Sequence, residues 1–263
     1  MSVLEALILG IIQGLTEFLP VSSSGHLELG KALLGIEASE DVTFTVVVHG
    51  ATVLSTIVVF RKEILELITS LFQFRWNEST QYVSKILLSM IPVVIIGLFF
   101  KDEVEALFNN SVPLVGSMLL VTGALLAFTH YAPQTTKGIT FKNAFIIGLA
   151  QAVAVLPGIS RSGSTIATAL LLGVDRQKAA KFSFLMVLAP ILGANAKEIM
   201  DGGMAASSIE ALPLIIGFIA AFVSGVLACT WMIKLVTKGR LIYFAYYCFA
   251  VGIVSISLHF YLK

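Results

Sequence analysis

Six stretches of this chain, residues 44–60, 84–100, 112–129, 182–199, 212–233 and 241–261, are long and apolar enough to cross a bilayer, where a helical span takes about 20 residues. A chain of 263 residues with 57% hydrophobic and only 13% charged side chains has no length left for a soluble domain beside them. The net charge of +1 is scattered along the chain, so nucleic acid has no basic patch to meet. Cys229 and Cys248 sit inside apolar runs at no metal or redox spacing and read as packing residues. The N-terminus lacks both a basic leader and a small-residue cleavage site, and its apolar stretch is expected to be retained.

Two further apolar regions, 1–35 and 141–173, are each broken in the middle by Pro, Ser and Gly. The pieces are too short to span, and non-helical backbone at membrane depth is tolerated only against protein or a water-filled cavity. They therefore read as re-entrant helical hairpins. Charge bias supports this. Segments 61–85, 131–142, 175–181 and 234–240 hold twelve of the seventeen Lys and Arg residues, which places them in the cytoplasm. Lys31, Lys101, Lys197 and Lys263 fall on the other side with both termini, provided each broken region enters and leaves by one face.

The chain also repeats weakly. An offset of 138 pairs Gly10 with Gly148, Gln13 with Gln151, Ser22 with Ser160, Ser24 with Ser162, Gly25 with Gly163, Gly35 with Gly173 and Phe44 with Phe182. Each half is one hairpin plus three spans, and because three is odd the second copy is inverted. The expected architecture is an all-α polytopic membrane protein, a single domain over 1–263. It has six transmembrane helices and two re-entrant hairpins, arranged as inverted repeats over 1–130 and 131–263. The hairpin tips are then expected to share one cavity near the midplane.

The first tip runs from Gln13 to His26 and reads QGLTEFLPVSSSGH. Gln13 and Glu17, four apart, project from one helix face. A carboxylate at membrane depth is costly and is expected to face a cavity. Pro20 stops the helix, and Ser22, Ser23, Ser24 and Gly25 then offer hydroxyls and backbone N–H groups to the next one. His26, in that next helix's first turn, is a candidate general acid or base.

The second tip, Leu156 to Thr165, reads LPGISRSGST and resembles an anion cradle. A helix N-terminus supplies unpaired N–H groups and partial positive charge. Gly158 and Gly163 let a ligand approach the backbone, and Ser160, Ser162 and Thr165 add hydroxyls. Arg161, the one cation in either tip, suits bidentate capture of phosphate, or a pair with Glu17 in the empty protein. His49 reads as a packing or hydrogen-bonding residue within a span, and Asn195 and Lys197 as interfacial. The Phe72–Tyr82 stretch and Tyr243, Tyr246 and Tyr247 read as interfacial anchors.

A carboxylate, a histidine, hydroxyls and an arginine in a membrane cavity point to work on a phosphorylated lipid, since phosphoryl transfer needs charge neutralisation and a positioned nucleophile. A polyprenyl-phosphate transporter or flippase is the alternative, because inverted repeats with broken helices also build carriers.

The two tip sequences together resemble the bacitracin-resistance-type undecaprenyl-diphosphatase family, and the resemblance extends over the chain in length and span order. It implies an enzyme of the bacterial inner membrane that hydrolyses undecaprenyl diphosphate to the monophosphate carrier lipid of peptidoglycan synthesis and confers bacitracin resistance. By the same resemblance, Glu17, Ser23, His26 and Arg161 are catalytic, and Gly158, Ser160, Ser162, Gly163 and Thr165 join Arg161 in binding substrate. Ser23 is the implied nucleophile, with His26, water or Glu17 in supporting or alternative roles. A divalent cation, Mg²⁺ or Ca²⁺, is implied at Glu17 and Gln13, hard oxygen donors both; Gln13 stands where some members have Glu. The implied partners are a polyprenyl diphosphate and membrane lipid, with a homodimer left open and the active site facing the outer, periplasmic side.

Overall fold

The computed structural model describes residues 1–36, 42–107, 112–200 and 209–261, and their regular structure is helical throughout. In chain order the helices are α1 (Val3–Phe18), α2 (Ser23–Leu34), α3 (Val42–Val59), α4 (Arg61–Leu71), α5 (Glu78–Phe99), α6 (Lys101–Ala106) and α7 (Val112–Phe128). The second half follows with α8 (Phe141–Val153), α9 (Arg161–Leu171), α10 (Arg176–Met186), α11 (Leu188–Met200), α12 (Ala211–Thr237) and α13 (Ile242–Tyr261).

Five helical stretches are long and apolar enough to cross a membrane: α5, Val112–Tyr131, Arg176–Lys197, α12 and α13. A sixth qualifies only when α3 and α4 are counted together, and these are bent by 79° at their junction. The bend falls where the apolar run meets Arg61, Lys62 and Glu63, side chains that belong in water. The α10–α11 stretch is interrupted at Val187. Pro190 accounts for this, because it has no N–H to return to the carbonyl of Met186.

Both expected interruptions are present. Helix α1 opens on a capping box between Ser2 and Glu5 and ends at Leu19, which is extended (φ −69°, ψ 142°) ahead of Pro20, as the residue before a proline prefers. Helix α8 ends at Val153, and residues 154–160 carry the chain past Pro157 and Gly158 to α9. Helix α2 ends in turn at Gly35, left-handed at φ 68°.

Small residues let the long helices touch backbone to backbone, the usual device for packing in a bilayer. Helix α1 lies on α12, where a Cβ at Gly10 would stand 2.5 Å from the Gly217 carbonyl oxygen. Helix α8 lies on α5 in the same way, with Gly148 against the Ser89 carbonyl. Helices α7 and α13 meet reciprocally: a Cβ at Gly116 would come within 3.0 Å of the Gly252 oxygen, and one at Gly252 within 2.8 Å of the Gly116 oxygen. Cys229 and Cys248 are free and buried among these contacts.

Outward, Leu87, Ile91, Val94 and Leu98 of α5 and Leu212, Ile215, Ile219, Val223 and Leu227 of α12 are exposed at helical spacing. Such faces require lipid rather than water, and the chain is a multi-pass membrane protein. The four basic segments converge on one end of the bundle. Lys181 pairs with Glu63 at 3.8 Å, Lys178 Nζ donates to the Thr136 carbonyl at 2.9 Å, and the Arg176 guanidinium packs beside Gly239. Of the cations expected opposite, Lys263 and the side chain of Lys101 lie outside the described residues.

Candidate active site

Gln13 and Glu17 lie one turn apart on α1, both buried, with the Gln13 amide donating to Glu17 Oε2 at 3.0 Å. The break after Pro20 then folds the chain back. Ser22 caps α2 by accepting from the Gly25 N–H, and to do so it takes φ 71°, the left-handed region that a non-glycine residue enters only under strain. The next residue, Ser23, is the first of α2, and its hydroxyl donates to Glu17 Oε2 at 2.7 Å.

The second break has the same local chemistry. Ser160 caps α9 by accepting from the Gly163 N–H at 3.0 Å, and its own N–H donates to Thr122 Oγ1 of α7 at 3.0 Å. Thr122 Oγ1 in turn donates to the Gly158 carbonyl at 3.2 Å. Gly158 has φ 95°, and a side chain there would collide with the Val115 carbonyl. Arg161 opens α9 and extends its guanidinium to Glu17 Oε1, forming a short ion pair that is largely shielded from solvent.

The two tips interlock. The Ser162 hydroxyl donates to the Leu19 carbonyl at 3.2 Å. Gly25 faces Gly158, with 3.2 Å between its Cβ position and the Gly158 Cα, and Gly163 faces Pro20 at the same 3.2 Å. Beside this junction lies a cavity of about 460 Å³, bordered by Glu17, Ser23, Arg161, His49, Gln151 and Asn195 among others. A carboxylate, a hydroxyl held against it, a guanidinium and a helix N-terminus thus face one space, a set suited to receiving a phosphoryl group.

Of the residues singled out in the sequence, Glu17, Ser23, Ser160, Arg161 and Ser162 border this cavity, and Gln13 stands directly behind Glu17. Gly158 and Gly163 shape the backbone around it instead. The Thr165 hydroxyl is turned inward to Ser183 at 2.6 Å and to the Arg161 carbonyl. His26 also faces elsewhere: Nδ1 bonds the Ser22 carbonyl at 2.9 Å, Nε2 bonds the Tyr247 hydroxyl at 2.8 Å, and the two rings stack.

Among the other residues that border the cavity are His49, Asn195 and Gln151, which the sequence reading did not assign to the site. His49 comes within 4.0 Å of Glu17 Oε2 while its Nδ1 bonds the Thr45 carbonyl. Asn195 reaches the Val46 carbonyl at 3.4 Å, and Gln151 of α8 borders the cavity with its amide buried. The one advance signal was the repeat, which aligned Gln151 with Gln13.

Among the described residues no three His, Cys, Asp or Glu side chains gather as a metal site. Hard oxygen donors are nevertheless at hand in the Glu17 carboxylate and the buried Gln13 Oε1, which has no hydrogen-bond partner among the described residues. One carboxylate with a neutral oxygen fits a cation that takes its other ligands from a bound phosphate and water, as Mg²⁺ commonly does.

Comparison with known proteins bears on this geometry. Residues 6–254 match the family described as bacitracin resistance protein BacA. The undecaprenyl-diphosphatase of Bacteroides fragilis (strain ATCC 25285) is 60% identical over 256 residues, 96% of each chain. That of Parabacteroides distasonis is 59% identical over 261 residues, 98% of each. That of Methanobrevibacter smithii is 37% identical over 270 residues, covering 97% of this chain and 96% of its own.

Proposed function

The chain belongs to the bacitracin resistance protein BacA family and is an undecaprenyl-diphosphatase, and from that premise we propose how the two tips carry out the hydrolysis. The observation that carries the proposal is the 2.7 Å hydrogen bond from Ser23 Oγ to Glu17 Oε2 beside Arg161. A hydroxyl held by a carboxylate is a nucleophile with its base in place. A carrier has no need of that pair, so the geometry favours hydrolysis over transport as the function of the site.

In the proposed course the terminal phosphate of undecaprenyl diphosphate enters against the N-terminus of α9, where Arg161 exchanges Glu17 for phosphate oxygens. Ser23 Oγ attacks the terminal phosphorus and passes its proton to Glu17. The bond from that phosphorus to the bridging oxygen breaks, and undecaprenyl phosphate leaves with the electron pair. Glu17 gives that proton to the departing undecaprenyl phosphate; water then attacks the phosphoseryl ester and passes a proton to the freed carboxylate, which returns it to Ser23 Oγ as inorganic phosphate leaves. His26 takes no part in the proton transfer, since both its ring nitrogens are engaged away from Glu17.

A diphosphate brings more negative charge than the one guanidinium can balance, which supports a divalent cation. Glu17 and Gln13 would hold it, and bound there it would neutralise charge on the diphosphate. We also read the tips as re-entrant hairpins of two inverted repeats. The matched caps Ser22 and Ser160, the crossed contacts of Gly25 with Gly158 and Gly163 with Pro20, and the Gly116–Gly252 contact support this.

The orientation we propose puts the basic end of the bundle in the cytoplasm of a bacterial inner membrane and the site toward the periplasm. Support comes from Thr45 and Asn195, which border the cavity near the ends of α3 and α11 remote from the basic segments. Cysteine labelling at residue 45 from either side of sealed vesicles checks it, and labelling from the cytoplasmic side alone contradicts it.

The test of the site is phosphate release from undecaprenyl diphosphate by the purified protein in detergent. Glu17→Gln is expected to lower kcat by about 10²–10⁴-fold, the range of general acid–base catalysis. A Glu17→Gln enzyme within a few-fold of wild type would remove Glu17 as the base.

A further inference from the structure

The Gln13–Glu17 pair on α1 has an incomplete counterpart on α8. The offset of 138 places Gln151 at the position of Gln13 and Val155 at that of Glu17. In the first half the glutamine amide donates to a carboxylate four residues on. In the second half valine stands there, and the amide has nothing equivalent to bind. Gln151 is 2% exposed, and neither its Nε2 nor its Oε1 has a hydrogen-bond partner among the described residues.

A buried amide left unpaired costs on the order of 1–3 kcal/mol for each unsatisfied group, so a fold keeps one only where something else repays it. Gln151 borders the same cavity as Glu17, Ser23 and Arg161. Arg161 contributes a second orphan donor, its buried Nη1, which has no partner among the described residues. The two residues that carry these unmet N–H donors, Gln151 on α8 and Arg161 on α9, therefore border one space next to the N-terminus of α9, where negative charge is favoured. The group that completes them is an anionic oxygen, the same chemistry that Glu17 offers Gln13.

We propose that Gln151 is a further substrate-binding residue, its amide donating to a phosphoryl oxygen of the lipid diphosphate in the place that a carboxylate holds beside Gln13. The inference rests on the reading of the cavity as the hydrolytic site. A hydrogen bond between a neutral donor and a charged oxygen is worth roughly 1.5–3 kcal/mol, or about ten- to a hundredfold in affinity. Gln151 touches neither Ser23 nor Glu17 through any hydrogen bond, so its loss weakens binding and leaves the chemical step in place.

The experiment measures KM and kcat for undecaprenyl diphosphate, and Kd for a prenyl methylenediphosphonate, with Gln151→Met and Gln151→Glu in detergent. Gln151→Met keeps the length and removes both polar groups. It is expected to raise KM and Kd at least tenfold, to hold kcat within about threefold, and to leave the substrate-free Tm unlowered, because two unpaired buried groups are gone. Gln151→Glu, equal in size, sets a negative charge against the diphosphate and is expected to raise Kd further. Should the Met variant misfold, the Glu variant carries the test alone. Kd within twofold of wild type in either folded variant overturns the role of Gln151 while wild-type hydrolysis upholds the site. A wild type that binds the diphosphonate without hydrolysing undecaprenyl diphosphate overturns the reading of the site, and the role of Gln151 in hydrolysis with it.

Discussion

Ser23 and Arg161 are each the first residue of the helix that follows a break, and both donate to the same carboxylate, Glu17. The position that presents a hydroxyl in the first half of the chain presents a guanidinium in the second. One group is placed to attack phosphorus and the other to hold it, and Glu17 keeps the pair in register before substrate arrives. The ion pair also spares the bilayer two lone charges, each of which would be costly at that depth.

Arg161→Lys tests whether the fork of the guanidinium matters beyond its charge. Lysine is a point charge that cannot grip two phosphate oxygens in parallel. We expect KM for undecaprenyl diphosphate to rise roughly tenfold or more, the loss of one charge-assisted hydrogen bond, in steady-state phosphate release. Unchanged KM would mean that Arg161 serves only as the counter-ion of Glu17.

Tyr247 and His26 are expected to act as a strut under Ser23. Nδ1–H of His26 donates to the carbonyl of Ser22, the strained residue before the nucleophile, which leaves Nε2 to accept from the Tyr247 hydroxyl. Tyr247→Phe should lower kcat several-fold at constant KM, and should have no further effect in a His26→Ala background. His26→Asn, whose amide can still reach the Ser22 carbonyl, should retain more activity than His26→Ala. Equal loss in the Asn and Ala variants, with independent effects of Tyr247→Phe, would instead make the imidazole itself a proton carrier.

Removal of divalent cations should abolish turnover. Phosphate release in EDTA is expected to fall to background and to return with Mg²⁺ or Ca²⁺, the cations suited to carboxylate, amide and phosphate oxygens. Full activity in EDTA would assign the whole of charge neutralisation to Arg161 and the α9 N-terminus.

Gly148→Ala tests the packing that places the second tip. The added methyl would strike the Ser89 carbonyl of α5, whereas a Cβ at Gly97 on the same helix α5 meets nothing within 4 Å. Gly148→Ala is expected to cost about 1–3 kcal/mol and to lower Tm in detergent by several degrees. Gly97→Ala should leave it unchanged or slightly raised, since alanine is the better helix former. Equal melting of the two variants would contradict the close approach of α8 and α5.

The spans and breaks were legible because their causes are local. Long runs of apolar residues must be helical in lipid, and Pro20 and Pro157 stand with Ser and Gly in the two breaks, whereas Pro92 is carried inside α5. The pairing of Glu17 with Arg161 was also within reach, since two opposite charges in two membrane tips have few other partners. His49 was not, and Gln151 was signalled only by its alignment with Gln13, because a polar residue within an apolar helix reads the same whether it faces a neighbour or a cavity. Which it faces depends on how α3 meets α11 and how α8 meets α5, contacts between the two halves of the chain. The placement of His26 was out of reach for the same reason: three residues from Ser23, its ring is bonded to Tyr247, 221 residues away in sequence. The interruption at Val187 did have a local cause in Pro190, but the apolar run continues across it and masked the break.

The most direct test of the account is rapid-quench trapping with undecaprenyl diphosphate labelled in its terminal phosphate. Glu17 held to Ser23 implies that label passes transiently to Ser23, recovered as phosphoserine on the peptide containing Pro20–Gly25, and that Ser23→Ala carries none. Label on His26, or turnover by a folded Ser23→Ala enzyme at the wild-type rate, would contradict it.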